Sequence, residues 1–306
     1  MPDFDLIVIG AGVAGLTAAQ VASRHGLNVA VIAPSGPGGQ IVNAERVENF
    51  PSIVPAIAGH ELGTLLFAQA EAAGAQFMLD TVEGLDIDGI DRTVRTSAQT
   101  LSAGAVIIAA GSTLRMLGVP GEEKLLGKGV SHCASCDGPL FKGREVCVIG
   151  GGDAAFDEAL TLSSHAARVT IFYRGETARA QQHLRARAAE TRNVIVESET
   201  LVEEITGDEA VAAIRLRNAK TGSTREQKIN GVFVAVGLDP ATAFLRGVLA
   251  LDASGHVETD VLMRTSIAGV FAAGDIRKNS VAHLAAVAGD GATAAISAYR
   301  YLKGRG

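Results

Sequence analysis

Asp5-Leu6-Ile7-Val8-Ile9-Gly10-Ala11-Gly12-Val13-Ala14-Gly15 decides the fold. Asp5 to Ile9 is a short apolar run with β-branched side chains, which predicts a strand. A G-x-G-x-x-G turn follows, and the spacing from Leu16 to His25 predicts a helix. Strand, glycine turn and helix in this order form a dinucleotide-binding fingerprint. Gly10 permits the tight turn, Gly12 lets backbone approach a pyrophosphate, and Gly15 lets the helix pack close on the strand. The helix N-terminus offers free N–H groups and the positive end of its dipole to phosphates. The next predicted strand, Asn28 to Ile32, ends in Ala33-Pro34-Ser35, where an acid that holds a ribose is expected. That departure weakens the ribose contact and leaves the pyrophosphate site.

A second fingerprint lies downstream. Gly150-Gly151-Gly152-Asp153-Ala154-Ala155 is of G-x-G-x-x-A type, between a predicted strand at Glu145 to Ile149 and a predicted helix at Ala154 to Ser163. Further strands are expected at Arg168 to Phe172, Val194, Ala210 to Leu216, Arg225 to Ile229 and Gly231 to Val236. Val234-Ala235-Val236-Gly237 echoes Ile108-Ala109-Ala110-Gly111, so the chain carries a loose internal repeat. The pattern loosens from Gly111 to Pro120, and Asp239-Pro240 marks a way back. The expected fold is α/β, with two Rossmann-like dinucleotide-binding domains, the second inserted into the first. Residues 1–113 and 242–306 form the first domain, and residues 114–241 the second.

Within the first domain, Gly36-Pro37-Gly38-Gly39-Gln40 and Glu48-Asn49-Phe50-Pro51 read either as exposed turns or as backbone lying against a ring system. In the second case Gln40 and Asn49 offer amide contacts. A helix from Ala58 to Ala73, short β runs from Ala75 to Thr96 and a buried strand from Ala103 to Ala110, ending in Gly111, follow. Gly269 to Asp275 reads as a strand ending in Gly274-Asp275. A helix from Ser280 to Leu302 then completes the first domain. Asp275 is suited to sugar hydroxyls, with a turn cap as the plainer role.

Cys133-Ala134-Ser135-Cys136-Asp137-Gly138 sits between the fingerprints. Two cysteines at this spacing can close a small disulfide ring, and an acid directly follows the second. Zinc needs two more ligands at similar spacing, but the only other cysteine is Cys147 and no H-x3-5-H is present, so no metal is expected. Cys147 falls inside a predicted buried strand and reads as a small core residue. The 306 residues carry 20% charged side chains and a net charge of -6, which argues against nucleic-acid binding. No run of 18 apolar residues is present to span a membrane, and glycines interrupt the apolar N-terminal stretch. Three cysteines including a C-x-x-C fit a reducing compartment, so a cytoplasmic location is expected.

Taken in order, Gly10 to Gly15, Gly38-Gly39-Gln40, Glu48 to Pro51, Cys133 to Gly138, Gly150 to Ala155 and Gly269 to Asp275 resemble the low-molecular-weight thioredoxin reductase family from end to end. The resemblance implies FAD at Gly10, Gly12, Gly15, Gly39, Gln40, Asn49, Gly111, Gly274 and Asp275. It implies NADPH at Gly150, Gly152, Ala155, Arg174 and Arg179. It also implies a homodimer and a redox-active Cys133–Cys136 pair, with Cys136 against the flavin, Cys133 facing the substrate and Asp137 as general acid or base. The partner implied is a thioredoxin-like protein or a small-molecule disulfide or dithiol. Three positions depart from the family. Its H-R-R-x-x-x-R is Tyr173-Arg174-Gly175-Glu176-Thr177-Ala178-Arg179 here, its R-Q-A is Ala282-His283-Leu284, and His132 precedes the first cysteine. His132 either tunes the thiols or is structural. The missing histidine and arginine imply a weakened hold on NADPH. They keep two other readings open: a dithiol oxidase that passes electrons to oxygen, and a non-catalytic flavin redox sensor.

Overall fold

The computed structural model describes residues 1–87 and 89–304. In chain order the elements are β1 (Phe4–Ile9), α1 (Val13–Arg24), β2 (Val29–Ala33), α2 (Gly59–Ala72), β3 (Gln76–Leu79), β4 (Val82–Asp86), β5 (Arg92–Thr96), β6 (Thr100–Ile108) and β7 (Ser112–Leu114). They continue with β8 (Val130–Ser131), α3 (Ala134–Asp137), β9 (Glu145–Ile149), α4 (Asp153–Ser163), β10 (Arg168–Phe172), α5 (Gln182–Glu190), β11 (Val194–Glu197), β12 (Thr200–Gly207), β13 (Val211–Asn218), β14 (Thr224–Lys228), β15 (Gly231–Val234) and β16 (Leu238–Pro240). The chain closes with β17 (Val270–Ala272) and α6 (Leu284–Lys303).

The chain divides into two compact units, Met1–Thr113 with Asp239–Gly306, and Leu114–Leu238. The return falls three residues ahead of the boundary expected after residue 241. Both crossings lie in short strands, β7 and β16, which pair with each other.

In the first unit the sheet runs β3-β2-β1-β6-β5-β4, with β17 paired in parallel to the C-terminal half of β6. β1 is buried on both faces, as a central parallel strand must be. Leu6 and Val8 join the core shared with α1 and α6, while Ile7 and Ile9 join the core on the other face with Leu85 and Val94. This is why the strand reads as an unbroken apolar run rather than an alternation. β6 begins at Thr100 rather than Ala103, because antiparallel pairing of Arg95 with Thr100 extends it backwards.

The second unit repeats this plan. Its parallel sheet runs β11-β10-β9-β15-β8. Val146 and Val148 of β9 pack under α4 and α5, and Cys147 and Ile149 pack towards the antiparallel sheet β12-β13-β14. Cys147 is fully buried, and burial pushes its thiol far above the ordinary value, so it is inert packing.

Each parallel sheet has a switch point, β1 beside β6 in one unit and β9 beside β15 in the other, where ligands of open α/β sheets bind beyond the strand C-termini. Two features lacked a sequence signal. α5 buries only Leu184 and Ala188, a single i,i+4 pair. In β12, Glu203 and Glu204 break the alternation at a register shift. α6 begins at Leu284 and not at Ser280. The Ser280 hydroxyl donates to Asp275 Oδ1 (2.7 Å) and accepts the Ala282 N–H (3.2 Å), and Ala282 turns to φ 47° before His283 Nδ1 caps the Ala285 N–H.

Candidate functional site

At the first fingerprint the chain passes from β1 into α1 through Gly10, at φ 109°. A Cβ at Gly10 would sit 2.3 Å from the Ala109 carbonyl oxygen across the switch point, and one at Gly15 would sit 1.9 Å from the Gly10 oxygen. Gly12 is different. Its Cβ would meet nothing nearer than the Gly38 oxygen at 4.0 Å, so the space above it is open. Gly12 is also the N-cap of α1 and makes no side-chain cap, which leaves the first-turn N–H groups without a side-chain acceptor.

Gly38-Gly39 closes one side of this cradle. Gly38 donates its N–H to the Ala11 oxygen (2.8 Å), and a Cβ on Gly39 would lie 3.0 Å from Gly12 Cα. Gln40 is tied by its Nε2 to the Ser112 oxygen (3.0 Å), beside Gly111, whose oxygen accepts the Ala241 N–H. Gly274 closes the other side, its Cα facing Ala14, so that a Cβ there would lie 2.9 Å from Ala14 Cβ. Asp275 follows it, holding Ser280. Asn49 is exposed.

The sequence did not single out Asp290. It is buried on α6, accepts from Gly274 N (3.2 Å), and pairs through both oxygens with Arg277 (2.5 and 2.9 Å). Asp290 and Arg277 therefore fix the Gly274 turn from beneath. An acid inside an alanine-rich helix was the available signal.

The second fingerprint has the same anatomy. A Cβ on Gly150 would sit 2.2 Å from the Ala235 oxygen, while Gly152, the uncapped N-terminus of α4, faces nothing within 4 Å. Ala155 is buried behind Gly150. The loop after β10 is fastened over this turn. The Gly151 oxygen accepts the N–H groups of Arg179 (2.7 Å) and Ala180 (3.1 Å), and the Asp153 carboxylate takes both the N–H (2.8 Å) and the side-chain amide (2.5 Å) of Gln181. Arg174 and Arg179 are exposed on that loop.

Cys133 and Cys136 form a disulfide. Cys133 caps α3, its Sγ accepting the Cys136 N–H at 3.2 Å and lying 3.4 Å from Ser135 Oγ. Asp137 ends α3, and its Oδ2 accepts from the buried Ser131 hydroxyl at 2.6 Å. His132 Nδ1 donates to the Val234 oxygen (3.0 Å), which makes it the N–H-bearing nitrogen. The second parallel sheet therefore carries the disulfide after β8 and the glycine turn after β9, both at strand C-termini.

Glu158 on α4 is a further titratable group of this unit. Burial, with a smaller push from Asp157, raises its carboxyl from 4.5 to about 8, and its Oε2 has no hydrogen-bond partner among the described residues. The folded chain therefore holds a proton that the unfolded chain has lost between pH 4.5 and 8, so the stability tied to this group falls as pH rises through that window. Glu158→Gln is expected to melt higher than wild type at pH 8.5, with the gap closing towards pH 5. Thermal melts at several pH values check this, and a pH-independent difference refutes it.

Residues 4–292 match the family described as pyridine nucleotide-disulphide oxidoreductase. The chain is 40% identical to the thioredoxin reductase of Treponema pallidum over 300 residues, covering 98% of this chain and 97% of that one. It is 41% identical to the thioredoxin reductase of Listeria innocua over 302 residues, covering 98% and 94%. Among solved structures, the thioredoxin reductase of Lactococcus lactis matches with a TM-score of 0.97 at 35% identity over 99% of this chain and 100% of that one. The thioredoxin reductase of T. acidophilum matches at 0.94, with 35% identity over 98% and 99%. The chain belongs to the pyridine nucleotide-disulphide oxidoreductase family. Within it, the chain is an FAD-dependent disulfide oxidoreductase of the thioredoxin reductase type, a type that works with FAD and NADPH. Reductase relatives at this identity over nearly the whole chain favour neither the dithiol oxidase nor the redox sensor. Among the described residues no helix is long and apolar enough to cross a membrane.

Proposed function

We propose that the chain passes electrons from NADPH through FAD to the Cys133–Cys136 disulfide, and from there to the disulfide of a thioredoxin-like protein. The observation that carries this reading is a formed C-x-x-C disulfide in the same unit as an open, uncapped second fingerprint. The first unit is the FAD-binding one. Its open position over Gly12 fits a pyrophosphate, with Gly10, Gly15, Gly39, Gln40, Asn49, Gly111, Gly274 and Asp275 around it. The second unit binds NADPH at Gly150, Gly152 and Ala155, with Arg174 and Arg179 towards the adenosine end. The bound flavin supplies two-electron transfer between the nicotinamide and the disulfide.

The chain's own sulfurs do the rest. In the reduced pair the Cys133 thiolate attacks the substrate disulfide, forming a Cys133–substrate bond and breaking the substrate S–S bond. Asp137 gives a proton to the departing sulfur. The Cys136 thiolate then attacks Cys133 Sγ, re-forms the intramolecular disulfide and releases the second substrate sulfur as a thiolate, which takes its proton from solvent. The test is NADPH-dependent reduction of a thioredoxin by the purified holoenzyme. Reduction of the flavin by NADPH with no passage of electrons to any thioredoxin tried would defeat the substrate assignment. The protein acts in the cytoplasm as a homodimer, and exposed Val54 and Leu65 on the first unit supply apolar surface for a second copy.

NADPH is preferred over NADH but held weakly. Arg174 and Arg179 remain, no acid stands between Phe172 and Gly175, and Gly175 occupies a position where the family has arginine. Gly175 is exposed, and a Cβ on it meets only the Thr177 oxygen at 3.6 Å, so a longer side chain fits. A charge-assisted contact to phosphate contributes ~1.5–3 kcal/mol, so Gly175→Arg is expected to tighten NADPH roughly ten- to hundredfold. Titration of the oxidised holoenzyme with NADP+ and NAD+ reads this directly. An unchanged dissociation constant for NADP+, or equal tightening of both nucleotides, would count against it.

A further inference from the structure

Ser131 ends β8, where pairing of Val130 with Val232 and of Ser131 with Phe233 fixes its backbone, and its side chain is buried. Its hydroxyl stands between two groups of the dithiol segment. The Cys133 N–H donates to Ser131 Oγ at 3.1 Å, and Ser131 Oγ donates to Asp137 Oδ2 at 2.6 Å. A backbone N–H can only donate, so the hydroxyl accepts there, and against the ionised Asp137, which can only accept, its single hydrogen goes to the carboxylate. The O···O distance is that of a charge-assisted hydrogen bond.

We propose that Ser131 is a positioning residue for proton delivery, one that decides which oxygen of Asp137 carries the transferable proton. In the carboxylate Oδ2 receives the Ser131 hydrogen, and while that bond is kept the proton that Asp137 takes up goes to Oδ1. Delivery to a departing thiolate then runs from Oδ1. The O–H bond there breaks, the new S–H bond forms, and the carboxylate left behind keeps its Ser131 bond. The proton is replaced from solvent before the next turnover. Because the same hydroxyl accepts the Cys133 N–H, acid and attacking cysteine are held in one frame. The proposal rests on the reading of Asp137 as the general acid.

The test exploits leaving groups. An alkyl thiolate needs a proton to depart, whereas a low-pKa aryl thiolate leaves without one. The holoenzyme is reduced anaerobically, and its reoxidation by 2-hydroxyethyl disulfide and by 5,5′-dithiobis(2-nitrobenzoate) is followed by stopped flow. Ser131→Ala is expected to lower the ratio of alkyl to aryl rate about tenfold, the scale of one hydrogen bond to a charged group, and Ser131→Thr to restore most of it. Asp137→Asn is expected to lower the same ratio further, and adding Ser131→Ala to it should change nothing more. Equal slowing with both disulfides, or a full extra loss in the double variant, overturns the role of Ser131 and leaves Asp137 as the acid. An Asp137→Asn protein with a normal ratio overturns the acid assignment and this inference with it. Thermal melts and flavin content of each variant separate misfolding from these outcomes.

Discussion

Cys133→Ser and Cys136→Ser holoenzymes are each expected to lose disulfide turnover by at least roughly a thousandfold, since exchange needs one sulfur to attack and a second to resolve. The two losses should look different in the spectrum. With Cys133 replaced, a long-wavelength absorption band from the remaining Cys136 thiolate is the expected result. With Cys136 replaced, the remaining thiolate is Cys133, and no such band is expected. The two cysteines are placed differently on α3. Cys133 is the N-cap of α3, and its Sγ accepts the Cys136 N–H and lies beside the Ser135 hydroxyl. The measurement is an absorbance spectrum of each variant together with thioredoxin-coupled turnover. A band confined to the Cys136 variant would reverse the two roles, and retained turnover in either variant would remove the pair from the mechanism.

The features legible in the sequence are those imposed by short local geometry. Gly10 and Gly150 are readable because each must pass a carbonyl of the neighbouring strand, at Ala109 and Ala235, with no room for a Cβ. The central strands are readable because burial on both faces demands an unbroken apolar run. The C-x-x-C is readable because its ring is local. Illegible features depend on partners that only the fold supplies. Ser131 reaches Asp137 across six residues and a change from strand to helix. Asp290 meets Arg277 and the Gly274 turn from 13 and 16 residues away. Gln181 finds Asp153 at a separation of 28. The alanine-rich surroundings of Asp290 mark the residue but not its partners, and nothing near Ser131, Asp137, Gln181 or Asp153 marks their pairings. α5 escaped for the opposite reason, since so little of it is buried that its sequence hardly needs to be amphipathic.

The three glycines of the first fingerprint should separate by substitution, because the structure gives each a different reason to be glycine. Gly12→Val is expected to yield a folded protein without FAD. Its side chain enters the space over the α1 N-terminus, where a Cβ meets, beyond the adjoining residues, nothing nearer than the Gly38 oxygen at 4.0 Å, so the fold pays little for it. That same space is the one a pyrophosphate needs to reach the first-turn N–H groups. Gly15→Ala is expected to fail differently. Its methyl group would sit 1.9 Å from the Gly10 oxygen, so the helix must move off the strand, and overpacking of this kind costs on the order of 1–3 kcal/mol or more. The α1 helix also abuts α6, where a Cβ on Gly291 would meet the Ala14 oxygen at 2.2 Å, so α1 has little freedom to retreat. Flavin absorbance and a thermal melt of the two apoproteins, each titrated with FAD, give the answer. Gly12→Val should melt close to the wild-type apoprotein and stay colourless at any FAD concentration tried, while Gly15→Ala should melt lower whether or not it retains some flavin. A yellow Gly12→Val protein with normal affinity would place the pyrophosphate elsewhere and would remove the first fingerprint from the flavin site.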